Sequence, residues 1–445
     1  MDETPPSEAP GKAPPRGEPV RAPRGMPDLL GPALDRLAAF ERTGLEVLAR
    51  HGFRGIRTPF LEETRLFARA AGETSDIVEK QMYTIPAPGG ESYSLRPEGT
   101  PGGVRAFVER SLGKQRPFVK LAYAGPMFRY ERPQAARQRQ FHQVGAEAFG
   151  SLEPLVDVDS ILAGAAVLRA FGLRKFATRV NTIGCSSCRP AIRGAIRKVV
   201  VAAGERICAN CRRRMETNPL RFLDCKEPGC RDAAGTVPAP ATLVCAGCAA
   251  HFGAVKSGLA ALEEPFAEDP RLVRGIDYYT RTVFEYTVPE LGARDAVGGG
   301  GRYDDLVALM GGPPTPCVGF ALGAEATILA VERTEPPPGG GEPPETEVFV
   351  AVPSGPGRLA ALRLARELRA LGVAADLDLE GRSLKAQMRA ADRSGASVVL
   401  LYGPDEEARG VVRWKPMRGE GKEEDLPKVE ALLRLQERYS PRAAT

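Results

Sequence analysis

Residues 127–150, MFRYERPQAARQRQFHQVGAEAFG, limit the fold more than any other part of the chain. Two short alternating segments flank a basic loop, the pattern of an antiparallel hairpin. In the second segment alternation places His142, Val144, Ala146 and Ala148 on one side, where they read as core. Gln143, Gly145 and Glu147 fall on the other, so an amide and a carboxylate flank a position with no side chain. In the first segment Met127, Arg129 and Glu131 share a face in the same way. If the two polar faces coincide, an arginine, two carboxylates and an amide point into one cleft. The loop between adds Arg132, Arg137 and Arg139. A solvated ribbon with ordinary surface charges gives the same alternation, so the remaining residues must decide.

Eight of the nine cysteines crowd between 185 and 248, as Cys185-x-x-Cys188, Cys208-x-x-Cys211, Cys225-x-x-x-x-Cys230 and Cys245-x-x-Cys248. The N-terminus lacks the apolar stretch of a signal peptide, and no apolar run approaches the roughly 20 residues that span a bilayer. The expectation is a cytoplasmic chain with no membrane partner, in which paired cysteines are metal thiolates rather than disulfides. Four pairs suffice for two tetrahedral zinc sites; one zinc site with free thiols, or an iron–sulfur cluster, are the other options. A structural metal would stand in for a core too small to fold unaided. Cys317, alone in an apolar stretch, reads as a small buried hydrophobe. A net charge of +5 permits nucleic-acid binding without demanding it, and 445 residues suffice for two or three domains.

Residues 1–23 have the composition of a disordered tail. Leu34, Leu37, Phe40, Leu45 and Leu48 recur at helical spacing up to Gly52, and an edge strand with Pro59 follows. A hairpin is predicted over 83–95. Glu98 and Thr100 then sit where a strand passes into a helix at 103–112, offering an ammonium group a carboxylate and a hydroxyl; a helix cap is the other use of Thr100. Further on, 117–123 reads as a strand, 161–171 as a helix, 274–286 as an alternating strand and 319–331 as a strand passing into a helix. Gly298 to Gly301 suit a close approach or a sharp turn, but lack the lysine and hydroxyl of a phosphate loop. TEPPPGGGEPPE at 334–345 is a linker. Beyond it strands and helices alternate as in an α/β module with a largely parallel sheet. The domain scheme is thus a core over 24–182 and 256–333, a cysteine-rich insertion at 183–255, and a C-terminal module at 346–445.

Four segments, in this order, carry a resemblance: Phe128-Arg129-Tyr130-Glu131-Arg132-Pro133 with Phe141-His142-Gln143; Leu272-Val273-Arg274-Gly275-Ile276-Asp277-Tyr278-Tyr279; Gly300-Gly301-Arg302-Tyr303-Asp304; and Gly319-Phe320-Ala321-Leu322-Gly323. From about residue 24 to about 430 the chain resembles the histidyl-tRNA synthetase family of class II aminoacyl-tRNA synthetases. The resemblance implies an α+β fold: an antiparallel class II core, here with a Cys-rich insertion, and a C-terminal α/β anticodon-binding domain. It implies a ligase that joins L-histidine and ATP into histidyl-adenylate and pyrophosphate, then passes the histidyl group to tRNA(His). Two anionic reactants must be held together, which is work for arginines. Matched to the motifs, Arg129 and Arg274 are catalytic; Arg129, Glu131 and Arg137 bind ATP, whose phosphates Mg2+ would bridge. Glu98 and Thr100 take the α-ammonium, Gln143, Glu147 and Tyr279 form the side-chain pocket, and Arg132 and Gln134 meet the tRNA acceptor end. Gly381-Arg382-Ser383-Leu384-Lys385 marks the anticodon module, and family members are homodimers that pair through the first helix and strand.

One position departs from the pattern. Where the family has an arginine capping the adenine and touching the terminal phosphate, the run Gly323-Ala324-Glu325-Ala326 carries alanine. Its loss removes interactions worth ~2–4 kcal/mol. Ala326 therefore favours a second reading, a catalytically weakened paralogue that regulates histidine biosynthesis or senses uncharged tRNA. Against it stand the C-terminal tRNA module and the complete histidine pocket.

Overall fold

The stretch 127–150 belongs to a hairpin in a large sheet, but its first strand runs from Val119 to Phe128, absorbing the separate strand expected at 117–123 and ending before Arg129 and Glu131. A computed structural model describes residues 19–71, 78, 80–134, 136–292, 295–335, 346–353, 357–417 and 421–439. Residues 1–18 of the expected tail and 336–345 of the expected linker lie outside the described residues. The chain divides into two compact units, Met1–Pro338 and Gly339–Thr445.

The strands of the first unit are β1 (Arg54–Gly55), β2 (Leu61–Glu63), β3 (Thr84–Pro86), β4 (Ser92–Leu95), β5 (Val119–Phe128), β6 (Gln140–Phe149), β7 (Ala177–Thr182), β8 (Ala267–Glu268), β9 (Thr280–Thr287), β10 (Ala296–Arg302) and β11 (Cys317–Gly323). Eight of them make one sheet in the order β1-β5-β6-β11-β10-β9-β7-β8, antiparallel except where β1 and β8 add as parallel edges. Strands β2, β4 and β3 make a small antiparallel sheet.

Period-2 alternation divides the large sheet into a packed face and a working face. Val144, Ala146 and Ala148 of β6, with Val318, Phe320 and Leu322 of β11, face the helices Pro32–Arg50 and Pro154–Ala170 in one apolar cluster. Proline at its start and Gly52, at φ +81°, just beyond its end bound the first of these helices. The second is apolar on nearly all sides because it lies between the sheet and the helix Ala246–Ala261. His142, expected in the core, is only half-buried: at the end of β6 its Nδ1 meets Glu325 Oε1 at 2.9 Å.

Two further expectations are corrected. The strand predicted over 274–286 begins only at Thr280, so Arg274 and Tyr279 stand on the loop before β9. The glycine run is a strand, β10, hydrogen-bonded to β9 and β11. Of the two uses expected of it, the sharp turn is not made, and the close approach is, to the side chains of Arg274 and Tyr279.

In the second unit β12 (Val348–Ala351), β13 (Ala375–Leu377), β14 (Val398–Leu401), β15 (Val411–Pro416) and β16 (Glu424–Pro427) pair in the order β13-β12-β14-β15-β16. β12 pairs parallel with β13 and β14, whereas β14-β15 and β15-β16 are antiparallel, so the sheet is mixed rather than largely parallel. Both faces are covered, Val348 and Val350 packing into one cluster and Phe349 and Ala351 into another.

Candidate active site

The two polar faces of the hairpin coincide. Register pairs Tyr123 with Gly145, Leu121 with Glu147 and Gly125 with Gln143, and directly opposed residues share a face. The same row runs on through Gly145, Ala321 and Gly299, and beside it through Glu147, Gly319 and Gly301. Small residues across three strands leave a trough in the sheet. Two side chains from the 274–279 loop lie in it: a Cβ on Gly299 would stand 2.8 Å from Arg274 Nη1, and one on Gly301 2.9 Å from the Tyr279 ring.

Glu147 lies at the buried end of the trough with no solvent exposure. Thr100 Oγ1 donates to its Oε1 at 2.7 Å and the Tyr123 hydroxyl at 3.1 Å, while the Tyr303 hydroxyl donates to Oε2. Burial pushes its pKa up to about 7 despite these donors. Thr100 thus uses its hydroxyl on Glu147, and Gly99 occupies the cap position of the helix Thr100–Glu109. Nearby, Glu98 accepts from the Tyr278 hydroxyl at 3.0 Å. Burial raises its pKa, and Arg129, Tyr278 and Arg274 pull against that. Tyr278 and Tyr279 pack ring to ring at 4.7 Å, with Tyr303 edge-on to both. Gln143 has a buried Oε1 without a hydrogen-bond partner. An orphaned buried acceptor costs about 1–3 kcal/mol and is the mark of a place where a ligand donor belongs.

Toward the open end stand the arginines. Arg129, just past β5, donates from Nε to the Pro97 carbonyl at 2.9 Å, its guanidinium 5.2 Å from the centre of the Phe141 ring. Burial lowers its pKa, with Glu98 opposing. Arg274 donates from Nη1 to Glu285 Oε1 at 2.6 Å. Burial works against its charge, but Glu285 and the two tyrosines outweigh it and the pKa rises. In the hairpin loop Arg137 is ion-paired with Glu131, whose other oxygen is buried and unpartnered. Arg132 and Gln134 are exposed, Gln134 bridging backbone to backbone with Arg137. A cleft of about 580 Å³ runs from Arg137 and Glu285 past Arg179 and Asp295 to Lys226 and Arg231 of the cysteine-rich segment. Ala326 lies near the start of the helix Ala324–Thr334, half-buried against the apolar cluster.

Sequence reasoning missed Tyr123, Tyr278, Tyr303 and Glu285. Alternation carried a signal for two of them: Tyr123 falls on the same face as Glu147 once register is set, and Glu285 falls opposite Gly299. Nothing local marks Tyr278 and Tyr303 as site residues.

The insert is helical, and its eight cysteines gather in two sets, Cys185, Cys188, Cys245 and Cys248, and Cys208, Cys211, Cys225 and Cys230, with all sulfurs of a set within 4.8 Å. A tetrahedron with metal–sulfur bonds of about 2.3 Å has sulfurs about 3.8 Å apart. Cys185 to Cys188 is 3.6 Å and Cys188 to Cys248 3.9 Å. Backbone N–H groups of Cys245 and Cys208 point at Cys188 and Cys230 sulfurs at 3.1 and 3.2 Å, the stabilisation a thiolate takes. The donor sets fit two tetrathiolate metals.

Comparison with known proteins bears on the same residues. The family model for histidyl-tRNA synthetase matches residues 25–185 and 240–327, and that for the anticodon binding domain matches 347–438. A histidine–tRNA ligase of Moorella thermoacetica is 46% identical over 91% of this chain and 95% of its own. The apo histidyl-tRNA synthetase of S. aureus superposes with a TM-score of 0.77 at 31% identity, covering 94% of this chain and all of that one. A Bacillus halodurans structure titled as an ATP phosphoribosyltransferase regulatory subunit/histidyl-tRNA synthetase shares the fold at 23% identity, TM-score 0.62, over 83% of this chain and 96% of its own. Among the described residues no helix is long and apolar enough to cross a membrane.

Proposed function

We propose how this site works from one premise: the chain belongs to the histidyl-tRNA synthetase family, and it is a histidine–tRNA ligase that activates histidine with ATP and charges tRNA. The reading rests above all on Glu147, a buried carboxylate ringed by three hydroxyl donors, on the same strand face as Gln143 with its unpartnered oxygen. Imidazole needs a partner for each ring nitrogen. Glu147 accepts from one ring N–H, and Gln143 and Tyr279 complete the wall. Glu98 and Thr100 lie where the α-ammonium enters. That leaves the substrate carboxylate facing the open end of the trough, between Arg129 and Arg274.

There the two guanidiniums hold the carboxylate and the α-phosphate together and take up the charge that grows at phosphorus as the carboxylate oxygen attacks. The bond from phosphorus to the bridging oxygen breaks, and pyrophosphate leaves with that electron pair. Arg137 leaves its pairing with Glu131 to meet the terminal phosphates, which frees the carboxylate for the adenine edge. Glu285 and Asp295, hard oxygen donors in the same cleft, fit Mg2+ carried in on the phosphates. The metal supplies charge neutralisation. Arg132 and Gln134 reach outward for the acceptor end of tRNA(His). The two cysteine sets each hold zinc as a structural metal. Exposed Leu30 just before the first helix, Leu34 on it, and Phe60 and Leu61 on the extended segment are apolar residues that pairing of two chains would cover. The compartment is the cytoplasm.

Histidine-dependent ATP–pyrophosphate exchange separates the pocket roles. Glu147→Gln should raise KM for histidine ~100-fold and leave KM for ATP alone, because the amide turns a donor toward a donor. Glu131→Ala should do the reverse. Equal shifts of both constants in both variants would contradict the assignment.

A further inference from the structure

Residues 186–239 lie outside the family match, yet three of them reach the loop that carries Arg274 and Tyr279. Arg189 Nη2 donates to the Asp277 carbonyl at 3.1 Å and to the Tyr279 carbonyl at 2.6 Å. Asn218 donates its amide to the Asp277 carboxylate. Arg221 lies over Gly275, where a Cβ would come within 2.8 Å of Nη1. The Asp277 carboxylate faces Arg189, Arg193 and Arg221, all from the insert. On its far side the loop rests on Gly299 and Gly301 through Arg274 and Tyr279. Insert and sheet hold it between them.

Each contact is tied to one cysteine set. Arg189 directly follows Cys188, the cap of the helix Arg189–Ala203. Asn218 and Arg221 sit between Cys211 and Cys225, at the end of the helix Ala209–Thr217 and in the turn Pro219–Phe222. Gathering four sulfurs on one metal fixes the backbone on either side of each ligand.

We propose that the cysteine-rich insert is a positioning element for amino-acid activation: Arg189 and Asn218 hold the 274–279 loop against the glycine trough, and metal in the two cysteine sets holds Arg189 and Asn218. The second half rests on the zinc reading above. Neither residue touches substrate; they act through Arg274 and Tyr279. A displacement of about 1 Å at a reacting arginine costs ~100-fold in rate.

The test uses the full-length chain. Arg189→Met and Asn218→Ala should each lower kcat for exchange ~10-fold or more and raise KM for histidine, with zinc content and melting midpoint unchanged. Arg189→Lys should recover part of the loss, since an ammonium still donates to one of the two carbonyls. Exchange within about twofold of wild type in Asn218→Ala and Arg189→Met overturns the positioning role, as does a loss that Lys does not recover; if Arg189→Met fails to fold, Asn218→Ala decides alone. For the metal link, hydrogen exchange at 274–279 is compared before and after zinc is stripped from substrate-free protein. Faster exchange supports the coupling and unchanged exchange overturns it. Purified protein without zinc would overturn the coupling through the zinc reading, and the substitutions would still decide the positioning role.

Discussion

Glu147 is an acid held where its charge is costly. Its pKa moves from 4.5 to about 7 on burial, so the folded state holds a proton the unfolded chain has lost between those values. That contribution to stability is full below pH 4.5 and is lost as pH rises through 7, an amount on the order of 3 kcal/mol. Glu147→Gln removes the titration: plotted as wild type minus variant, unfolding free energy should fall between pH 5 and 8, and a flat difference would put the carboxyl at an ordinary pKa. On the proposed role, the ionised form is the stronger acceptor for an imidazole N–H, so the wild type should also lose histidine affinity below pH 7, more than the substrate's own titration explains. Arg274, paired with Glu285 and lying over Gly299, is proposed to serve the reaction more than the fold. Arg274→Ala should cost exchange ~1000-fold with an unfolding midpoint near wild type, and normal turnover in that variant would place the catalytic charge elsewhere. Ala326 makes the opposite kind of prediction. If the adenine roof lacks only its cation, Ala326→Arg should lower KM for ATP ~10-fold or more; an unchanged KM would mean that another group already fills that place.

The elements that were legible in the sequence are those whose pattern is local. Alternation at 140–149 sorted the two faces of β6, and the cysteine spacing announced thiol sets that could hold a metal. What stayed hidden depends on register across strands. Tyr123 joins Glu147 only because β5 and β6 pair Tyr123 with Gly145. The glycines of β10 left a turn and a close approach equally open because the side chains they make room for, from Arg274 and Tyr279, arrive from a loop more than 20 residues away in the chain. The antiparallel strands β15 and β16 escaped notice because charged residues interrupt them, Arg413 and Lys415 in β15 and Glu424 and Asp425 in β16. Spacing also left open which cysteine pairs share a site, and the helices of the insert settle it by bringing the first pair to the fourth and the second to the third. Those sets predict two zinc ions per chain by elemental analysis, and Cys211→Ser should release one of them and lower the melting midpoint by ~10 °C. Retention of both ions would break the assignment.

Across the whole molecule, two units with separate cores divide the work. Every residue proposed for histidine activation lies in the first unit, and the second matches the anticodon binding domain. A chain ending at Pro338 should therefore keep exchange within a few-fold and lose most of its affinity for tRNA(His); loss of exchange would mean that the second unit supports the first. The central claim is that the trough between Arg129 and Arg274 activates histidine, even with alanine at 326. Its most direct measurement is histidine-dependent ATP–pyrophosphate exchange by the purified full-length chain. The account predicts exchange with L-histidine and none with the other amino acids. Tight histidine binding with no exchange would contradict it.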